Sequence, residues 1–288
     1  MIKYIQAKIE KDVDILKYTT ETRLYGKSNE DIVNYFNEVK NQYNYILRKV
    51  YYIIRNNPKI KTDLLNTELQ NEYSISKRTA GSIIKTVQGI INSIKELKKT
   101  EIKQKQYKLE KISEKLEKLI PALLDLKLKA EKNNIKDLIK YRNFKTKVAF
   151  LKIRKDKLVN KIKSLNHQLE TNKFKITFGT KKLFRQNLEK FLNKRDNQMI
   201  FIGSKDETAC NQTFQMKYIS KINQFIVKIR KDFNYKNKKG EERYAYGKCF
   251  FNSHKNLLKE ILKSKNSPLT YRIIKRNNKY YLQCIFEI

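Results

Sequence analysis

Residues 109–130 read LEKISEKLEKLIPALLDLKLKA. Leu109, Ile112, Leu116, Leu119, Leu123, Leu126 and Ala130 recur at steps of three and four, a heptad seam of the kind two helices bury against each other. Upstream, Ile83, Val87, Ile90, Ile94 and Leu97 keep the same steps. Downstream, Asn133-Asn134 interrupts them, and Leu151, Leu158, Ile162, Leu165 and Leu169 resume. The pattern predicts a long antiparallel helical hairpin that turns at the two asparagines. Pro121 should kink its first arm, because proline lacks a backbone donor and clashes with the preceding turn.

Toward the N-terminus, Ile32, Tyr35, Phe36, Val39, Tyr43, Ile46, Leu47 and Val50 predict a helix over 28–56, ended by Asn56-Asn57-Pro58. Ser28 with Asp31 three residues on looks like a capping box for it. A shorter helix over 61–72 leads into one beginning near Ser76. Ile2, Tyr4 and residues 6–9 read as a first strand. Beyond Leu169 the period changes to two, predicting strands at 174–178, 199–203, 214–218, 225–229, 243–248, 271–274 and 280–286. A helix over 253–263 interrupts them. Asn277-Asn278 tolerates the positive φ of a tight hairpin, so the last two strands should pair. Short strands with such turn signals point to a small barrel.

Lys and Arg number 65 against 29 Asp and Glu, a net charge of +36 over 288 residues. That excess is the footprint of a polyanion partner, since basic side chains release the counterions condensed on phosphates. In a merely lysine-rich protein the acids would rise alongside. No run approaches eighteen apolar residues and the first residues lack a signal-peptide core, so the expectation is a cytoplasmic protein without membrane association. Cys210, Cys249 and Cys284 stand far apart, with only His167 and His254 to help. They make neither a disulfide framework nor a zinc site.

The two arms of the hairpin differ in charge. Residues 101–131 carry eight basic and six acidic side chains. Residues 140–163 carry ten basic ones, among them Lys145, Lys147, Lys152, Arg154, Lys155 and Lys157, against Asp156 alone. Like charges at that density repel along a helix, which phosphates alongside would relieve. The returning arm is therefore the better candidate for nucleic-acid contact.

Three later blocks carry further candidates. In 178–184, FGTKKLF, a glycine would let the backbone approach a ligand beside Lys181, Lys182 and Arg185. In 203–212, GSKDETACNQ, Lys205 follows a glycine in the same way, while Asn211 and Gln212 would either meet base edges or cap a strand end. In 243–248, RYAYGK, Arg243 and Lys248 flank Tyr244 and Tyr246, which share one side of a strand and would either stack bases or join the core. Segment 74–80, SISKRTA, opens a helix after a turn, placing Lys77 and Arg78 where a helix-turn-helix contacts DNA. A nuclease needs carboxylates converging in one pocket. Most acids here lie among lysines on helix faces, and on a strand Asp206 and Glu207 would point to opposite sides.

The ordered set of blocks over at least residues 144–287 resembles the TnpB family, the RNA-guided nucleases of small bacterial insertion sequences and relatives of type V CRISPR effectors. Cys210 stands where that family has glycine, and a glycine there would serve a positive φ. The resemblance implies an α+β chain: a helical recognition lobe with the long antiparallel helical hairpin, inserted into a small oligonucleotide-binding-like (wedge) β-barrel. Its parts would be 1–10 as the first barrel strand, 11–171 as the helical lobe and 172–288 as the barrel with one short helix. In the family, the stretch like residues 280–287 leads into a RuvC-type nuclease domain, and this sequence ends at Ile288. The implied function is a guide-RNA-binding and target-DNA-binding module, the DNA read beside a short adjacent motif, in the nucleoid-associated bacterial cytoplasm. No residue is carried over as catalytic and no cofactor is expected in this chain. Mg²⁺ would enter only with a RuvC domain supplied in trans by a separate chain. The remaining alternative is a coiled-coil assembly protein whose basic charge is incidental.

Overall fold

The apolar positions from Ile32 to Val50 do line one face of a helix, α1 (Glu30–Asn56), and every one of the eight is buried. Each such side chain contributes roughly 1.5–3 kcal/mol on leaving water. The computed structural model describes residues 16–131, 135–233, 240–264 and 267–287. After α1 come α2 (Thr62–Tyr73), α3 (Lys77–Ala130) and α4 (Ile135–Thr171), then the short helices α5 (Lys181–Gln186) and α6 (Leu188–Arg195). The strands are β1 (Lys17–Leu24), β2 (Gln198–Ile202), β3 (Phe214–Ile219), β4 (Gln224–Arg230), β5 (Tyr244–Cys249), β6 (Thr270–Arg276) and β7 (Lys279–Glu287), with α7 (Lys255–Ser264) between β5 and β6. Mixed helix and antiparallel sheet make this an α+β chain.

Two compact units result: one holds the described residues up to Gln88 and from Ile176 onward, the other Gly89–Lys175. The expected division at 11–171 differs from this, because α1, α2 and the first turns of α3 belong with the strands. The strand foreseen at 2–9 lies outside the described residues. The N-terminal strand that is seen is β1, which pairs antiparallel with β7 from Lys17↔Glu287 to Leu24↔Tyr280.

In the first unit the strands form two antiparallel sheets, ordered β1-β7-β6-β2 and β3-β4-β5. Among the described residues no hydrogen-bonded barrel closes, and side chains on the edge strands show why. On the free edge of β2, Tyr43 Oη donates to the Ile200 carbonyl at 3.1 Å, and Asn44 Nδ2 donates to that of Gln198 at 2.9 Å. Ser82 Oγ accepts from the Ile202 N–H at 2.9 Å. On the edge of β5, Asp31 accepts from the Tyr246 N–H at 2.9 Å and Asn29 Oδ1 from the Lys248 N–H at 3.1 Å. Polar side chains of the helices thus cover both edges, which would otherwise be left unpaired. The expected Ser28–Asp31 capping box is not formed for the same reason: Asp31 serves β5, and the N-cap residue is Asn29. Gly247 permits the approach, since a Cβ there would lie 2.5 Å from Ile32 Cδ1.

The β6–β7 hairpin turns at Asn277 and Asn278, φ 47° and 60°, as their residue type predicts. Residues 174–178 are not a strand. Their alternating apolar side chains are taken singly by neighbours: Phe178 packs edge-on against Tyr51 at 5.5 Å, and Phe174 lies under the Lys98 ammonium at 6.0 Å.

The second unit is the helical hairpin. Ile112, Leu116 and Val148 form its buried cluster, flanked by Leu119, Leu123, Leu151 and Leu158, so α4 returns along α3 through the expected seam. The Asn133-Asn134 turn lies outside the described residues. Helix α3 continues through Pro121.

Candidate nucleic-acid interface

Helix α4 fully buries only Val148 and Leu165. Lys145, Lys147, Lys152, Arg154 and Lys157 are exposed and Lys155 half-buried. Among the described residues, the one ion pair made by the basic side chains of 140–163 is Lys140 with Asp137, at 4.0 Å. The helix therefore carries cations around much of its exposed surface that its own neighbours do not neutralise, with Phe150 exposed among them.

In the first unit, Lys77, Arg78, Gln212, Arg230 and Arg243 line a cleft of about 250 Å³ at the start of α3. Four of the five were sequence candidates, brought together from three distant segments. The turn before α3 is made by Ser74 in a left-handed conformation, φ 49°. Ser76 caps the helix, accepting from the Thr79 N–H at 3.2 Å. Asp232, 1% exposed, sits beneath: it accepts from Ser76 Oγ at 2.8 Å, Thr79 Oγ1 at 2.6 Å and the Arg230 guanidinium. Burial is the largest influence and works against the Arg230 charge, but the hydrogen bond and charge of Asp232, with smaller contributions from Tyr244 and Glu207, together outweigh it and hold that pKa above its ordinary value. Arg78 pairs with Glu207 at 3.1 Å, and the other oxygen of Glu207 accepts from the Gln212 N–H at 2.6 Å. Arg243 Nε is buried without a hydrogen-bond partner, and Lys77 is exposed. Two acids thus fix two arginines and leave a cationic cleft.

Tyr244, Tyr246 and Lys248 alternate on the outward face of β5, away from the core. The ring centroids of the two tyrosines are 6.3 Å apart. Lys228 Nζ lies 3.7 Å from the Tyr244 centroid and 5.8 Å from that of Tyr246. Part of each ring is therefore engaged by a cation already, and the remaining surface is what a base could stack on.

Two readings of the glycine blocks are corrected. Gly179 (φ 95°) gives close approach to the ring of Phe191, to which a Cβ would come within 2.8 Å, and not to a ligand. A side chain on Gly203 would collide with the Cys210 and Leu269 carbonyls, so that glycine too serves the chain's own packing. Lys181, Lys182 and Arg185 are exposed on α5, which Thr180 caps by accepting from the Leu183 N–H at 3.4 Å; Lys205 is exposed on its turn. Asn211 is not available to bases. It is 1% exposed, donates to the Phe201 and Leu269 carbonyls and accepts from the Thr213 and Phe214 N–H groups. Of its two open readings, the strand-end cap is the one observed. Cys210 adopts φ 59°, the conformation a glycine would have made easy.

A second concave surface was not foreseen. A groove of about 1170 Å³ in the first unit is lined by Lys40 and Arg48 of α1, Lys190, Lys194 and Arg195 of α6, and Lys275 of β6. The one acid in its wall is Asp196. The sequence signals are the spacing of Lys190 and Lys194 on one face of a turn and the Lys275-Arg276 pair before the asparagine hairpin. Nothing linear joins them. Among the described residues no group of three His, Cys, Asp or Glu could hold a metal ion, and no helix is long and apolar enough to cross a membrane. The chain matches no protein-family model and no curated protein.

Proposed function

We propose that the chain is a nucleic-acid-binding module, and more narrowly the guide-RNA-binding and target-DNA-binding part of a TnpB-like RNA-guided system. The observation that carries the first statement is the uncompensated band on α4: ten basic residues against one acid between 140 and 163, on a helix mostly exposed. Helical neighbours of like charge repel, and a phosphate backbone alongside converts that repulsion into attraction through counterion release. The narrower statement rests on the ordered blocks at 178–184, 203–212 and 243–248, and on an N-terminal strand that joins the later ones. In this reading the two sheets of the first unit are the wedge and the hairpin belongs to the recognition lobe. The cleft at Lys77 and Arg78 is the candidate reader of the motif beside the target. Cutting, with Mg²⁺, would be the work of a RuvC-type domain supplied by another chain.

Sequencing the RNA that co-purifies with the protein tests the narrower statement. One transposon-end transcript is expected, and a random sample of cellular RNA defeats it. The broader statement is tested by titrating RNA across a range of salt. By the rule of roughly −0.7 to −0.9 per phosphate neutralised, about six contacts should give a slope of log affinity on log salt near −5. A flat dependence rules it out.

A further inference from the structure

We propose that the groove between α1, α6 and the β6–β7 hairpin is a binding site for a single-stranded polynucleotide, an inference that rests on the nucleic-acid-binding reading of the chain. Three observations converge on it. The first is charge. Lys40, Lys190, Lys194 and Lys275 line the groove with no acidic partner among the described residues, while Arg276, also in the lining, pairs with Glu21 at 3.0 Å. The second is preorganisation. Asp196 bonds both Arg48 and Arg195, the latter at 2.7 Å, so one carboxylate orients two guanidinium forks in the groove wall. Each guanidinium has five donors. Arg48 engages Asp196 through Nη1 and Arg195 through Nε and Nη2, which leaves donors on both for a ligand's phosphates.

The third observation selects single strands over duplex. Tyr45, 54% exposed, belongs to the same wall. Its ring meets that of Tyr73 edge-on at 6.4 Å, a contact that steadies the side chain and takes up at most one of its two faces. An aromatic face beside a cationic track suits a base that is free to stack on it, whereas a duplex keeps its base faces stacked on one another. Asn41, Asn193 and the Asn277-Asn278 turn supply further donors and acceptors for bases or sugars. Ribose and deoxyribose strands share this chemistry, and the groove makes no choice between them.

The test uses the full chain and fluorescent ten-residue oligomers, oligo(rU) and oligo(dT), with a blunt DNA duplex of equal length as comparison. Tyr45→Ala keeps every charge and should weaken both single strands by about five-fold or more, the low end of one base–aromatic stack, with little change for the duplex. Lys190→Gln/Lys194→Gln/Lys275→Gln should lower the single-strand salt slope by about two, at roughly 0.7 per phosphate. Loss with only one of the two oligomers still supports the groove and shows which of the two strands it takes. If both variants, folded by circular dichroism, bind all three ligands as the parent does, the groove proposal is overturned. The wider reading survives that result as long as the parent protein binds RNA with the expected salt dependence. Its own failure shows separately, as an unmodified protein whose binding ignores salt.

Discussion

The two units hold their cations differently. In the first, a buried or half-buried acid stands behind most arginines of the cleft and the groove: Asp232 behind Arg230, Glu207 behind Arg78, Asp196 behind Arg48 and Arg195. In the second, the basic side chains of α4 stand exposed with almost no acid beside them. The contrast separates two tasks in polyanion binding. A guanidinium fixed by a carboxylate has a set direction and loses little freedom on meeting a phosphate. A row of free lysines has no set direction but releases a counterion at each contact. On the proposed nucleic-acid-binding reading, the first unit would serve register and the second affinity.

The comparison breaks most visibly at Asp232. Removing it as Asp232→Ala leaves Arg230 without its partner and Ser76, Thr79 and Thr213 without their acceptor. Breaking a buried pair in this way costs about 3–5 kcal/mol. Urea unfolding should show a loss of that size. A variant as stable as the parent would mean that Asp232 does not organise the cleft, and the account of the first unit would fall.

The next effect belongs to the other half of the comparison. Changing Lys152, Arg154, Lys155 and Lys157 to Gln should weaken RNA binding by about ten-fold or more. It should also make the salt slope shallower by about three, four phosphates at roughly 0.7–0.9 each. Stability should change little, because these side chains are mostly exposed. A large loss of stability with an unchanged slope would reverse the roles assigned to the two units.

Alkaline pH should separate the units without any mutation. Burial pushes the Cys249 thiol and the Tyr43 phenol each up to about 12, and raises Cys284 as well. These groups hold their protons longer when folded. Their stabilising contribution is full below the unfolded values, 9.0 for the thiols and 10.0 for the phenol, and is lost as pH rises toward 12. All three cysteines are in the first unit. Thiol alkylation should therefore be slow at pH 9 and accelerate toward pH 12 as the first unit opens, while helical circular dichroism from α4 persists. Rapid alkylation at pH 9 in the folded protein would contradict the burial of these thiols.

How much of this the sequence disclosed follows from where the information lies. Helix α1 and the hairpin seam were legible because burial there repeats every three or four residues along one segment. Strand β1 was hidden because its inward positions include Thr20 and Thr22, whose burial leaves no hydropathy signal. Helices α5 and α6 were masked by the glycine turn before them. The cleft was half legible: Lys77, Arg78, Gln212 and Arg243 were singled out one by one, but the buried acid that gathers them was not. Asp31 looked like part of a helix cap with Ser28 because capping is local, whereas the edge of β5 that takes it lies more than two hundred residues away. The groove depends on the pairing of β2 with β6, so its lysines share a wall only after the sheet exists.

The smallest effect is the one that makes the α4 result interpretable. Changing Lys103, Lys105, Lys108 and Lys111 on α3 to Gln removes the same formal charge from the same unit. Two of these lysines already face acids, Lys105 with Glu101 at 3.3 Å and Lys111 with Glu114 at 3.3 Å. A phosphate would have to displace those acids before gaining a contact, and the exposed pairs themselves are worth only about 0–1 kcal/mol. RNA affinity should therefore fall by no more than about two-fold, with a slope change below one phosphate's share of roughly 0.7. Long-range attraction by net charge alone makes no distinction between the arms. If the α3 and α4 quadruple variants lose equal affinity while both remain folded, the band on α4 is not a contact surface. The protein would then be one that attracts polyanions with its whole charge.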